Sequence, residues 1–524
     1  MSRDFRLSVD IVVPTVRANA SGLRRVVELT VPPTFANLKI IIVVDGPQTA
    51  DAWNALRSLA AEQPSGRVVL LSTRPNHHGW PAGAGAARNT GIEHSSADFI
   101  LFFDDDTTPE PDVLFRYAEA AEHWLGDDRP DDDGENIGVF GFAGVTTFLV
   151  PHGSLWAIAA RCSGMVDAFT AASRSNFPPW SPTANLMLRR TAPPQSAAAA
   201  AAAAAIDDGA TSEAEEMESA APLLPPPSTV PPPPERLPWC AFDVALPANG
   251  GGEDIDICLR ASVDHPEASG SETLQTGLQL PMEVLNAETG WARPKVKQRL
   301  VAVPLAITTH KLWSVYGMLA RGVRWGYAGG QISYKFPQLM RRRPMPNAAE
   351  SCVIAAFLSL FIGGCVPRFV VWRLFLLSVL GQLFVESFRR VLDLPSRVRL
   401  SGYMPPNLRA TLDEPAFEEI FGVDASRTVR WLCLIAIHGG PMMWLSVAFS
   451  IGEMKARLEW PWTPSKLSHL FTMWDFSFGE EEVPPNELVR KMAWTAWSWR
   501  LTGLVLALLA EAWLSGLLRI GKFI

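Results

Sequence analysis

Four short apolar runs, each followed at once by polar or turn-forming residues, constrain this chain more than any other feature. They are VDIVV (9–13), KIIIVV (39–44), VVLL (68–71) and FILFF (99–103). Stretches of helical pattern lie between them, at 23–29, 50–61 and 84–93. Runs this short and β-branched read as buried strands, and a helix between successive strands is the crossover that parallel pairing requires. The expected fold is therefore α/β, with a parallel sheet covered on both faces and a ligand site beyond the carboxyl ends of the strands.

Candidate chemistry is sought just after each run. Asp104, Asp105 and Asp106 directly follow FILFF. Three carboxylates at the end of a buried strand repel one another, and a divalent cation with a diphosphate relieves that cost. The run Asp131, Asp132, Asp133 has no strand before it and reads as a solvated loop. Asp45 ends the second run, where a carboxylate accepts hydrogen bonds from a ribose or base, or else simply forms an Asp-Gly turn. Arg88 lies in NHHGWPAGAGAARNTG, whose small residues suit either close backbone approach to a ligand or ordinary turn chemistry. Far downstream, GGEDIDICLR places Glu253, Asp254 and Asp256 at a helix start. They are either dipole-favourable caps or the second half of a two-part site, one part holding a metal and the other acting as a base.

Composition adds a second zone. The chain has 46 Lys+Arg and 54 Asp+Glu, a net charge of −8 that argues against a nucleic-acid partner. Apolar residues concentrate at 352–367, 374–385, 431–452 and 492–518, the last interrupted by Arg500 and Glu511. The run 431–452 carries no charged side chain and has the length of a bilayer span, and Trp431, Trp444, Trp494, Trp497, Trp499 and Trp513 suit interfacial belts. Arg341 to Arg343 before the first run and Arg389, Arg390, Arg397 and Arg399 after the second favour a helical hairpin turning near Pro367 and Arg368. Buried helices of a globular part are the alternative. His438 to Pro441 reads as a kink. Residues 194–234 join an alanine run, an acidic patch and a proline tract, and read as a disordered insert or a linker. The six cysteines form neither a CxxC pair nor a metal-spaced cluster, and residues 1–20 are too broken for a signal peptide, so a cytosolic start is expected.

The succession VDIVVPT, IIIVVDG, AARNTGIEHSSADFILFFDDD, SPTANLMLRR and GGEDIDICLR resembles the family 2 inverting glycosyltransferases of the GT-A (Rossmann-like) fold, over most of residues 7–260. RGVRW (321–325) is similar to the (Q/R)xxRW element of membrane-embedded members such as polysaccharide synthases and ceramide glucosyltransferase. Arg321 stands where the polysaccharide synthases usually carry glutamine, which leans toward the ceramide glucosyltransferase variant.

The resemblance implies a role for each residue. Asp45 would bind the nucleoside, with Arg88 and Asp105 in the donor site. Asp104 and Asp106 would form a DxD pair, with Mg2+ or Mn2+ bridging Asp106 and the diphosphate and His310 completing the shell. Asp254 would be the general base and Glu253 would orient it or meet the acceptor. Arg321, Arg324 and Trp325 would close over donor and acceptor; a juxtamembrane anchoring pair is the other reading of Arg324 and Trp325. The implied partners are a UDP- or GDP-sugar, a lipid or glycan acceptor, and a membrane.

The expected organisation is a nucleotide-sugar part (1–193), the insert (194–234), an acceptor and base part with RxxRW (235–345), and C-terminal α-helical transmembrane segments (346–524). The expected location is multi-pass, in the plasma membrane or ER/Golgi, with the catalytic domain in the cytosol. A processive polysaccharide synthase, a non-catalytic membrane scaffold and a metal-dependent phosphoryl-transfer protein are the competing readings.

Overall fold

The computed structural model describes residues 6–74, 81–126, 138–149, 167–190 except 174 and 179, 241–262 except 245 and 247–250, 298–335, 340–342, 443–459 and 472–474, with 370 and 505. Strands β1 (Leu7–Thr15), β2 (Phe35–Val44), β3 (Val68–Ser72) and β4 (Phe99–Phe103) form the parallel half of a sheet. Helices α1 (Ala20–Val27), α2 (Ala50–Ala61) and α3 (Ala84–His94) connect them. The apolar runs therefore become strands, as their β-branched content requires.

Alternation within each strand builds two cores. Val9, Ile11, Val13, Ile40, Ile42, Val44, Phe99, Leu101 and Phe103 join the core under α1, α2 and α4 (Val113–Gly126). Val12, Ile41, Val43, Ile100 and Phe102 face the opposite way, toward α3 and α5 (Glu253–Ser262). A strand with both faces buried must be apolar at every position, which explains the unbroken runs. Each such side chain contributes about 1.5–3 kcal/mol on burial. Gly91 in α3 exists for closeness: a Cβ there would lie 2.5 Å from Val12 Cγ1.

The sheet is larger and less uniform than expected. β5 (Thr107–Pro109), β6 (Gly138–Leu149), β7 (Asn185–Arg189) and β8 (Gln298–Lys311) extend it to the order β3-β2-β1-β4-β7-β6-β8-β5. β7 is antiparallel to both β4 and β6, β8 is parallel to β6, and β5 turns back on β8. β5 starts too soon after β4 for a crossover, so it cannot pair parallel with it and instead occupies the far edge. Buried Asn185 ties the mixed half together: its amide donates to Val145 O (3.1 Å) and Ala306 O (2.7 Å) and accepts from Tyr117 OH (2.8 Å). The carboxyl ends of β1, β2, β3, β4, β6 and β8 share one edge, which sets where a site can form.

Beyond the sheet, α6 (Val315–Lys335), which contains RGVRW, packs against α7 (Met443–Glu459). The seam is made of small residues on both sides. A Cβ on Gly326 would lie 1.9 Å from Phe449 O, and one on Gly452 would lie 1.8 Å from Val323 O. Gly322 faces Ala448, and Gly330 faces Ala456. Spacing by four residues keeps these positions on one helix face, so the two backbones meet along two turns. A short antiparallel strand pair, β9 (Met340–Arg342) with β10 (Thr472–Trp474), lies beside it.

These findings correct the expected C-terminal transmembrane segments and the multi-pass location. Among the described residues no helix is long and apolar enough to cross a membrane. The supposed span 431–452 is described only from Met443, and there it is part of α7, which runs on to Glu459 through Glu453, Lys455 and Arg457. One face of its apolar half, with Leu445, Ala448 and Gly452, packs on α6, while Trp444 and Ile451 stay exposed. The runs 352–367, 374–385 and 492–518, the insert 194–234, the Asp131 run and the His438 kink lie outside the described residues, apart from position 505.

Candidate active site

The strand edge gathers carboxylates and pairs Asp104, Asp105 and Asp106 with cations. Asp105 accepts from Thr15 Oγ1 (2.6 Å) and from Arg17 Nε (3.2 Å), and its second oxygen pairs with Arg17 Nη2. Asp106 lies 3.0 Å from the same guanidinium and 2.9 Å from His310 Nε2. Those partners hold its carboxyl well below the usual range against the opposing effect of burial. Asp104 accepts from Arg88 Nη2 at 2.9 Å. Its carboxyl is raised, chiefly by burial and despite Arg88. The expected trio Asp104, Asp106 and His310 is thus split: Asp106 meets His310 while Asp104 turns to Arg88. Among the described residues no group of three or more His, Cys, Asp or Glu side chains is placed to hold a metal ion.

Arg88 joins the two acidic clusters, reaching Glu253 across 165 positions of the chain. It is buried in α3, and while one arm reaches Asp104 the other lies 3.3 Å from Glu253 Oε1 at the start of α5. Glu253 also accepts from Gly251 N at 2.7 Å. Asp254, half-buried beside it, is pushed up to about 7 by burial and by the Glu253 charge, with Arg88 opposing. The glycine run before α5 permits this placement. Gly252 adopts φ +88, and a Cβ on Gly251 would lie 2.9 Å from Ala328 on α6. Asp256 takes no part; it pairs with Arg260 (2.9 Å) and Lys335 (2.9 Å) and fastens α5 to the end of α6.

The RGVRW turn of α6 faces an aromatic cluster. The Arg321 guanidinium lies 4.3 Å over the Trp313 ring. Burial lowers its pKa, as does Arg324, while Asp104 and Asp106 act on it in the opposite sense. Trp325 packs on Trp313 (centroids 5.5 Å) and Phe169 (6.1 Å), and Trp313 packs on His310 (5.2 Å). Three buried donors around the site have no hydrogen-bond partner in the protein: Arg88 Nε, Arg324 Nε and Trp313 Nε1. Unmet donors beside carboxylates are a sign of a binding surface, since such atoms are rarely left so in a finished core.

Asp45 stands at the same edge but is engaged with the chain itself. Its two oxygens accept from Ala82 N (2.9 Å) and Gly83 N (2.8 Å), bracing the entry to α3, whose first residues carry no side-chain cap. Arg17, Thr15, Trp313 and Phe169 are site residues that motif reading missed. Only the position of Arg17, just past β1, could have flagged it. Cys258, the one free cysteine among the described residues, is pushed up to about 12 by burial and is a packing residue, not a nucleophile.

A GT-A-like α/β domain with strand-end carboxylates tied to a distant acidic helix start is the class that this sheet and site define. The family model of glycosyl transferase family 2 matches residues 10–126 of this chain. Over 104 residues the chain is 36% identical to a pre-mycofactocin glycosyltransferase of Mycobacterium tuberculosis, covering 19% of this chain and 18% of that protein. It is 25% identical over 116 residues to an N-acetylglucosaminyltransferase of Bradyrhizobium elkanii, covering 22% of this chain and 60% of that one. The matched part thus spans under a fifth of the first relative's length. Among solved structures it is similar to mannosyltransferase PcManGT from Pyrobaculum calidifontis in complex with GDP-Man and Mn2+ (14% identity, 62% of this chain, 63% of that chain, TM-score 0.34). It is also similar to S. aureus TarS 1-349 (12% identity, 49% and 55%, TM-score 0.29).

Proposed function

We propose that this chain is an inverting glycosyltransferase that moves a sugar from a nucleoside-diphosphate donor to an acceptor hydroxyl. The observation that carries this reading is Arg88 held between Asp104 and Glu253, which joins the strand-end carboxylates to the start of α5. Asp254, at about 7, has the pKa suited to a general base near neutral pH. Its carboxylate takes the acceptor proton as the acceptor oxygen forms its bond to the anomeric carbon. The bond to the phosphate oxygen breaks on the opposite face, and the configuration inverts. Glu253 keeps Asp254 basic by its charge, and Arg88 keeps Glu253 and Asp104 in register.

On the donor side, Arg321 and Arg324 bring positive charge toward the carboxylates and suit the leaving diphosphate. Asp45 shapes the nucleoside end by fixing Ala82 and Gly83 at the entry to α3. Asp106 and His310 offer one carboxylate and one imidazole 2.9 Å apart, a donor set that fits Mn2+ or Mg2+ provided diphosphate oxygens fill the remaining positions. When bound, the cation acts as a Lewis acid on the leaving diphosphate. The half-buried faces of Trp313, Trp325 and Phe169 suit stacking against a sugar ring of the acceptor.

The test is a donor screen with the full chain, using UDP- and GDP-sugars with Mn2+, Mg2+ or chelator, and following both released nucleoside diphosphate and glycosylated product. Stoichiometric release and transfer from one donor is the expected result. Phosphodiester cleavage without sugar transfer would replace this reading with phosphoryl chemistry.

A further inference from the structure

We propose that Arg17 is a latch: it occupies the cation position at Asp106 until a diphosphate draws it away, so that metal and donor enter the site together. This rests on Asp106 and His310 being the protein donors to the cation, as read above. Both oxygens of Asp106 are engaged, Oδ1 by His310 Nε2 at 2.9 Å and Oδ2 by Arg17 Nη2 at 3.0 Å. A divalent ion cannot share the second oxygen with a guanidinium, because the two like charges would lie within a few ångströms of each other.

The middle carboxylate of the triplet explains why the guanidinium sits there. Asp105 is fixed by Thr15 Oγ1 at 2.6 Å and grips Arg17 through both Nε and Nη2. Its job is then to hold the latch. The Arg17 side chain is 55% exposed, so turning away disrupts little packing. An incoming diphosphate offers the planar fork two phosphate oxygens, a better bidentate partner than a carboxylate already shared with a threonine. The swap releases Asp106 for the metal and leaves Arg17 on the donor.

Titrating the full chain with Mn2+ alone, by calorimetry or by loss of the free-ion paramagnetic signal, tests this without any turnover. Arg17→Met is expected to bind Mn2+ at least about tenfold more tightly than the wild type, a change of about 1.4 kcal/mol. Arg321→Met removes an equal charge from the same neighbourhood and is expected to gain far less. Equal affinity of Arg17→Met and wild type, or an equal gain in Arg321→Met, overturns the latch. Asp106→Asn added to Arg17→Met is expected to abolish binding. If binding persists there, the assignment of the cation to Asp106 is what fails, and the latch falls with it.

Discussion

Replacing Arg88 by methionine probes the joint between the two halves of the site. Methionine fills most of the arginine volume but leaves Asp104 and Glu253 without their shared cation. Glu253 is 8% exposed at its side chain and Asp104 is 32% exposed. Removing one partner of a buried ion pair costs about 3–5 kcal/mol, and the partial exposure of Asp104 places Arg88→Met toward the lower end, near 3 kcal/mol at neutral pH. The cost has a sign in pH. Burial already raises the Asp104 carboxyl against Arg88, and without Arg88 it rises further, so the loss should be smaller at about pH 5 than at about pH 8. Urea unfolding followed by tryptophan fluorescence at both pH values measures this. Arg88→Lys keeps one charge but loses the fork, and is expected to fall between the two. A loss under about 1 kcal/mol at both pH values would refute the claim that Arg88 neutralises both clusters.

Other consequences follow from the same geometry. Gly326→Ala pushes a Cβ to 1.9 Å from a backbone oxygen of α7, whereas Gly329→Ala meets only Phe449 Cζ at 3.6 Å. The first is expected to cost about 1–3 kcal/mol and the second to be neutral or slightly stabilising, read by thermal melting. Because Asp254 must be ionised to accept a proton, kcat/KM should rise about tenfold per pH unit below about 7 and level off above it. Since its folded pKa lies above the unfolded value of 3.8, ionising Asp254 destabilises the fold as pH rises from about 4 toward about 7. Asp254→Asn should therefore unfold at a higher urea concentration than wild type at pH 8, and a lower midpoint would contradict the buried-carboxylate reading.

Much of the parallel half was legible because its runs are short, unbroken and followed by turn residues, so strand and site edge came from one pattern. The carboxylates Asp104 to Asp106 were found for the same reason. The mixed half was not, because β6, β7 and β8 are placed by pairings between distant segments that no local period records. The described end of the 431–452 run, residues 443–452, misled because a bilayer and a close helix partner both accept uncharged side chains. The spacing of Gly322, Gly326 and Gly330 against Ala448, Gly452 and Ala456 was there to be read, and it points to helix packing. Arg88 was expected in the donor site, beside a glycine-rich turn. Its role appears once the fold brings Glu253 to it.

The most direct test is sugar transfer by Asp254→Asn, with donor binding measured on the same preparation. Loss of transfer by about 10²–10⁴-fold with unchanged donor affinity is the expected result. Transfer at the wild-type rate, or loss of donor binding in step with activity, would remove Asp254 from the chemistry and with it the proposed mechanism.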